Sequence, residues 1–225
     1  VINENDEEEL QILISKHEAT FAKEKGDVGQ IKGEFCFLNL ENNIPINLKP
    51  YRMSVKDQER IDSQIHGLFE KGLIQKSTSD YSFPVVLVNK KDEGEKTRLC
   101  IDYRKLNAIT IPERYPMPNI GDIENKLLDA AVFSTLDISS GFHHIPVGIE
   151  DKRKTAFVTM HEHYEWNVMP FGLKNAPAIF QRIIYNVLKK NELTSFTHNY
   201  IDDIIVFSKT KHDHMQHLDR VLEVM

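Results

Sequence analysis

This chain has little of what stabilises or localises a protein by covalent or membrane means. Its 225 residues include only two cysteines, Cys36 and Cys100, in no CxxC pair. A reducing compartment without structural zinc is therefore the default reading. No run of about 18 apolar residues occurs, so neither a spanning helix nor a membrane partner is expected. Residues 1–10 are acidic and lack the basic-then-apolar plan of a secretory signal. Positive charge is also missing: the formal net charge is −6, and bulk charge gives no support to nucleic-acid binding. That deficit is local, because residues 1–50 hold five Lys against ten Asp or Glu, while residues 51–225 hold the other 23 basic and 24 acidic residues. His143-His144, His161-x-His163 and His212-x-His214 lack the i, i+4 spacing of a zinc helix, so packing or surface roles fit them better. No internal repeat or low-complexity tract is present. With 40% hydrophobic and 28% charged residues the composition is that of a soluble globular protein. Val1 is not an initiator Met, and the chain stops at Met225 within a helical pattern, so a piece of a longer protein is expected.

The pattern of apolar residues gives an α+β order with antiparallel strands. A helix is expected over Glu7–Lys23, followed by a loop punctuated by Gly26, Gly29 and Gly33. Ser54 with Asp57 three residues on reads as an N-cap, and Ile61, Ile65, Leu68 and Phe69 carry that helix to Gly72. Pro84 opens the strand Val85–Val88. Lys91–Lys96 form a polar turn, and Arg98–Tyr103 return as the second strand of a hairpin. A helix from Ile120 to about Leu128 leads into a strand-like run, Phe133–Ile138, that holds Asp137. Thr155–Met160 and Tyr164–Val168 read as another hairpin. Ala176-Pro177 starts a helix with a continuous apolar face of Ile179, Phe180, Ile183, Ile184, Val187 and Leu188. A last helix begins near Thr210.

Tyr200-Ile201-Asp202-Asp203 stands between two strand-like runs, which puts adjacent aspartates in a tight hairpin turn. Taken alone, such a turn is more often a solvated loop than a site. Here Asp137 lies in a second strand-like run, Phe133–Ile138, and could supply a third carboxylate. Unpaired carboxylates repel one another, and the set becomes favourable once hard divalent cations join it. Three carboxylates around two ions are used for in-line phosphoryl displacement by polymerases and nucleases alike. Lys90 and Lys91 with Arg98 could grip an anion from the charged hairpin, although a solubilising hairpin tip looks the same in sequence. Phe142 reads equally as core or as an aromatic beside a site, and Gly172 as an ordinary turn glycine or a close approach to ligand.

From about Tyr51 to Met225 the sequence resembles reverse transcriptases, in particular those of gypsy/Ty3-type long-terminal-repeat retrotransposons. The resemblance rests on Ser82-Phe83-Pro84-Val85-Val86, on Arg98-Leu-Cys-Ile-Asp102-Tyr-Arg104-Lys-Leu-Asn107, and on Leu136-Asp137-Ile-Ser-Ser-Gly-Phe142-His. It continues in Met169-Pro-Phe171-Gly172-Leu-Lys-Asn-Ala-Pro177-Ala-Ile-Phe180-Gln181 and in Tyr200-Ile-Asp202-Asp203.

That resemblance implies the fingers and palm portion of a right-hand polymerase fold: an antiparallel palm sheet backed by helices, a fingers subdomain, and no thumb. Carried over, residues 1–50 form a connector, 51–111 and 145–175 the fingers, and 112–144 and 176–225 the palm. Asp137, Asp202 and Asp203 would be catalytic and would hold two Mg²⁺ ions, with Mn²⁺ as a substitute. Lys90 and Arg98 would contact the incoming deoxynucleoside triphosphate. Phe142 would exclude a ribose 2′-OH, Phe171 and Gly172 would shape the nucleotide pocket, and Tyr200 would lie by the primer terminus. The implied partners are an RNA or DNA template with its primer and the rest of a Pol polyprotein (protease, thumb, RNase H, integrase). The implied location is a cytoplasmic virus-like particle, with the nucleus as a second compartment. A two-metal nuclease, an RNA-dependent RNA polymerase, and a catalytically incompetent or nucleic-acid-binding fragment are the rival readings.

Overall fold

The computed structural model describes residues 4–24, 26–89 and 97–225. Seven helices and eight strands are found among them: α1 (Glu4–Lys16), α2 (Val55–Glu70), β1 (Ile74–Lys76), β2 (Phe83–Asn89), β3 (Thr97–Ile101), α3 (Arg104–Ile109), α4 (Ile120–Leu127), β4 (Val132–Asp137), α5 (Ile149–Lys152), β5 (Phe157–Val158), β6 (His163–Trp166), α6 (Ala176–Lys190), β7 (Thr197–Tyr200), β8 (Asp203–Ser208) and α7 (Lys211–Val224). The chain divides into two compact units, one built from Val1–Val28, Arg114–Gly141 and Pro177–Met225, the other from Gly29–Glu113 and Phe142–Ala176.

The first unit is a three-stranded antiparallel sheet, in the order β4-β8-β7. Its strands alternate, as a sheet with one covered face must. Ile204, Val206, Thr197 and Asn199 are buried on one side, while Phe133, Thr135, Asp137, Asp203 and Tyr200 are exposed on the other. α7 packs against β8 and β4 on the covered side. There the buried His214 meets the Ser134 hydroxyl through Nε2 at 2.8 Å and the Ser208 hydroxyl through Nδ1 at 2.9 Å. Thr210 caps α7 by accepting from the Asp213 N–H, which agrees with the expected helix start. The buried apolar face of α6 (Ile179, Phe180, Ile183, Ile184, Leu188) completes the core.

The second unit centres on a five-stranded sheet, β1-β6-β5-β2-β3. Ser54 caps α2 as its sequence indicates, and α2 buries Ile61 and Ile65. One pair departs from the expected antiparallel pattern: β2 and β5 run parallel, with Phe83 opposite Phe157 and Pro84 opposite Val158. Apolar alternation carries a strand's facing but not its direction, and the chain between these two is long enough to bring the second back in the same sense. β1, α3 and α5, of three, six and four residues, were not expected from the sequence.

Residues 1–50 are shared between the two units. α1 belongs to the first unit, where Lys16 and His17 both reach Asp219 of α7 at 2.6 Å and Leu13 is buried. Residues 29–50 belong to the second unit, where Cys36 bridges to Val147 and Leu40 to Thr110. Among the described residues no helix is long and apolar enough to cross a membrane.

Candidate active site

β4, β8 and β7 set three side chains in one row across the open face of the first unit. Asp137 ends β4 directly opposite Asp203, the first residue of β8, and Asp203 in turn faces Tyr200 at the end of β7. Directly opposed residues of an antiparallel pair project from the same face with their Cβ atoms about 5 Å apart. The register of β4 with β8 therefore places these two carboxylates as neighbours.

Asp202 lies in the two-residue turn that joins β7 to β8, and the backbone pays for its placement at Ile201, which takes a φ of 52°. A β-branched residue in that region costs on the order of 1–3 kcal/mol and persists only when its surroundings hold it. Gln181 does the holding from α6. Its Oε1 accepts from the Ile201 N–H at 2.7 Å and its Nε2 donates to the Asn199 carbonyl at 3.0 Å. Gln181 is 2% exposed, so both bonds are shielded from water. On the other side of the turn the Ile138 N–H donates to the Asp202 carbonyl at 3.0 Å, tying it to the end of β4.

The Asp202 carboxyl is half-buried, and its Oδ1 is buried with no hydrogen-bond partner. Its pKa is pushed up to about 6, first by burial, then by the charges of Asp137 and Asp203. An orphaned, buried carboxylate oxygen next to two further carboxylates is the donor set that a hard cation fits. Among the described residues no three His, Cys, Asp or Glu side chains are already drawn to metal-binding distance of one another.

The remaining expected site residues belong to the second unit. Arg98 is exposed on β3, opposite Val88. Lys90 and Lys91 lie outside the described residues. Phe142 is buried, its ring centroid 5.1 Å from that of Phe171, which is half-exposed. His143 packs between Trp166 and Phe171 at 5.3 and 5.1 Å, and burial followed by the neighbouring His144 pushes its pKa down to about 4. Gly172 has a φ of 92°, a conformation that suits glycine, and its carbonyl accepts from Asn107 Nδ2 at 2.8 Å. Asn107 Oδ1 also accepts from the Lys174 N–H at 2.8 Å, so one side chain fixes the turn after Phe171. Asp102 is occupied by Arg104, through Nε at 2.8 Å and Nη2 at 2.7 Å, and by the Tyr51 hydroxyl at 2.8 Å. The Arg104 guanidinium holds its carboxyl well below the usual carboxylate range.

Gln181 and Asn107 were quoted in the sequence motifs without a role of their own. Gln181 carried a usable signal: it is a polar residue within the apolar face of α6, and a buried amide must find partners.

Comparison with known proteins gives the same picture. Over 187 residues the chain is 42% identical to the retrovirus-related Pol polyprotein from transposon 297 of Drosophila melanogaster, covering 82% of this chain and 18% of that protein. It is 38% identical over 188 residues to the Pol polyprotein from transposon gypsy of the same organism, with the same coverage of 82% and 18%. Over 183 residues it is 37% identical to the enzymatic polyprotein of cauliflower mosaic virus (strain CM-1841), covering 79% of this chain and 26% of that one. The chain thus spans about a fifth to a quarter of the length of these curated relatives. Among solved structures, foamy viral protease-reverse transcriptase bound to RNA/DNA hybrid matches with a TM-score of 0.83 at 25% identity, over 99% of this chain and 30% of that one. Its double-stranded DNA complex matches with a TM-score of 0.86 at 26% identity, over 99% and 38%. The α+β fold is therefore that of the polymerase portion of such enzymes, whose family generally uses divalent metal ions. Residues 88–225 match the family described as reverse transcriptase (RNA-dependent DNA polymerase) and contain the whole acidic row with its turn, so the chain belongs to the reverse transcriptase family.

Proposed function

We propose that this chain is the polymerase portion of a gypsy-type retrotransposon Pol polyprotein and extends a primer with deoxynucleotides on an RNA or DNA template. The observation that carries the reading is the facing pair Asp137 and Asp203 beside the half-buried Asp202 carboxyl, whose Oδ1 has no hydrogen-bond partner. On this reading the first unit is the palm and the second the fingers, and the protein works in a cytoplasmic virus-like particle.

Asp137, Asp202 and Asp203 would hold two Mg²⁺ ions, for which Mn²⁺ substitutes. Bound there, the ions supply activation of the primer hydroxyl and charge neutralisation on the triphosphate. The chain's own residues do the rest by positioning. Gln181 fixes the turn, so the backbone that carries Asp202 is held without a search through its conformations. Arg98 and Lys90 would bind triphosphate oxygens, where a guanidinium grips two at once. Tyr200 shares a face with the aspartates and would support the primer terminus. Phe142, packed on Phe171, would exclude a ribose 2′-OH, and Phe171 and Gly172 would shape the nucleotide pocket.

Primer extension on a homopolymer RNA template, with the full chain and with Asp137→Asn, tests the reading. The wild-type chain should add deoxynucleotides, and the variant should lose at least about a thousandfold of that rate with its far-UV circular dichroism unchanged. Full activity in Asp137→Asn, or no addition by the wild-type chain, overturns the proposal.

A further inference from the structure

The turn after β4 contains a glycine that its backbone does not require. The left-handed position there is taken by Ser140, at a φ of 54°, while Gly141 is not among the residues with positive φ. Any L-amino acid could adopt the Gly141 backbone, so its bareness calls for another reason. Space provides one. A Cβ built on Gly141 would stand 2.7 Å from Asp202 Oδ1, 3.3 Å from Asp202 Cγ and 2.8 Å from Phe180 Cζ. The missing side chain is thus a recess, with the tip of a fully buried ring on one side and the Asp202 carboxylate occupying it.

We propose that Gly141 is a positioning residue that sets how much divalent ion is needed to bring Asp202 into service, because its recess shelters the Asp202 carboxylate whenever no cation is bound. The recess is a poor resting place in itself, since Oδ1 has no partner there. It is nevertheless a way out for a carboxylate whose neighbours Asp137 and Asp203 are both anions. A cation must then draw Asp202 out of the recess, and its apparent affinity is reduced by the fraction of molecules in which Asp202 is still recessed. A methyl group at position 141 removes that alternative. Of the two atoms it would strike, the carboxylate is the end of a short rotatable side chain and the ring is locked in the core, so Asp202 yields first.

The inference rests on the metal-binding role assigned to the aspartates, and the test separates the two. Thermal unfolding of the full chain is followed at pH 8 across a MgCl₂ titration from an EDTA baseline, for wild type, Gly141→Ala and Asp202→Asn, with Mn²⁺ binding measured by electron paramagnetic resonance. Gly141→Ala should be less stable than wild type in EDTA and reach half-saturation at roughly threefold to tenfold lower Mg²⁺. A midpoint equal to or above that of a responsive wild type overturns the role of Gly141 alone. A wild type that does not respond to Mg²⁺ or bind Mn²⁺, and so matches Asp202→Asn, overturns the metal assignment itself. Phe180→Leu widens the recess and should raise the midpoint. If Gly141→Ala does not fold, an unchanged or lowered midpoint in Phe180→Leu overturns the proposal.

Discussion

Replacing Asp202 by asparagine should stabilise the metal-free protein while abolishing its activity. Asp202 is half-buried, its Oδ1 has no partner, and Asp137 and Asp203 lie beside it. Its pKa stands near 6, against an ordinary 3.8. A carboxyl with a raised folded pKa binds its proton more tightly in the folded state than in the unfolded one. The cost of ionising it is therefore complete above pH 6, shrinks as pH falls, and is gone below 3.8. A shift of that size corresponds to about 3 kcal/mol, and solvent screening of this half-buried group reduces it to about 1–2 kcal/mol. Asparagine keeps the shape and removes the charge. At pH 8 in EDTA the variant should melt roughly 2–6 °C above wild type, and the gap should close by pH 4. Added Mg²⁺ should reverse the order, because a ligand that binds only the folded wild type stabilises it by mass action and has one carboxylate fewer in the variant. Differential scanning fluorimetry over pH 4–8, with and without Mg²⁺, reads all three effects. A variant no more stable than wild type at pH 8 in EDTA would refute the argument that burial and the neighbouring carboxylates penalise the charge on Asp202.

Gln181→Met keeps the volume of the side chain but strands the Ile201 N–H and the Asn199 carbonyl. It should cost about 2–4 kcal/mol in urea unfolding and lower primer extension further than the folded fraction accounts for; a loss of stability without loss of specific activity would limit Gln181 to packing. Phe142→Val should admit ribonucleotides in primer extension, and unchanged sugar selectivity would remove Phe142 from that role. His143, buried with its folded pKa near 4, refuses a proton that the unfolded chain accepts as pH falls through 6.5. Stability should therefore fall from about pH 6.5 down to pH 4, by roughly 2 kcal/mol at pH 5, and His143→Phe should abolish that loss in urea titrations at pH 7.5 and 5. An equal acid loss in the variant would assign it to other groups.

Which of these features the sequence makes legible depends on how far apart the interacting residues lie along the chain. The tight turn beside Asp202 and Asp203 is local and legible, whereas Asp203 starts β8 rather than sharing that turn, and its place opposite Asp137 is set by the register of two distant strands. α2 and α7 announce themselves by Ser54 and Thr210, whose hydroxyls cap helices a few residues away. By contrast, the parallel pairing of β2 with β5 and the docking of α1 on α7 are decided by partners far along the chain. His17 meets Asp219 202 positions later. A three-residue strand or a six-residue helix such as α3 is also too short to display a period. The turn at Ile201 is a different case, because local preference argues against it: a β-branched residue is placed where glycine or asparagine would be comfortable. Such a conflict between local preference and fold is expected at a working site. Here it is resolved by one amide on α6, since only a donor and an acceptor fixed at the same point can hold both edges of the turn. An extended turn with glycine at 201 would need no such clamp, but it would also leave Asp202 free to wander. The strain at Ile201 and the buried glutamine are therefore one device.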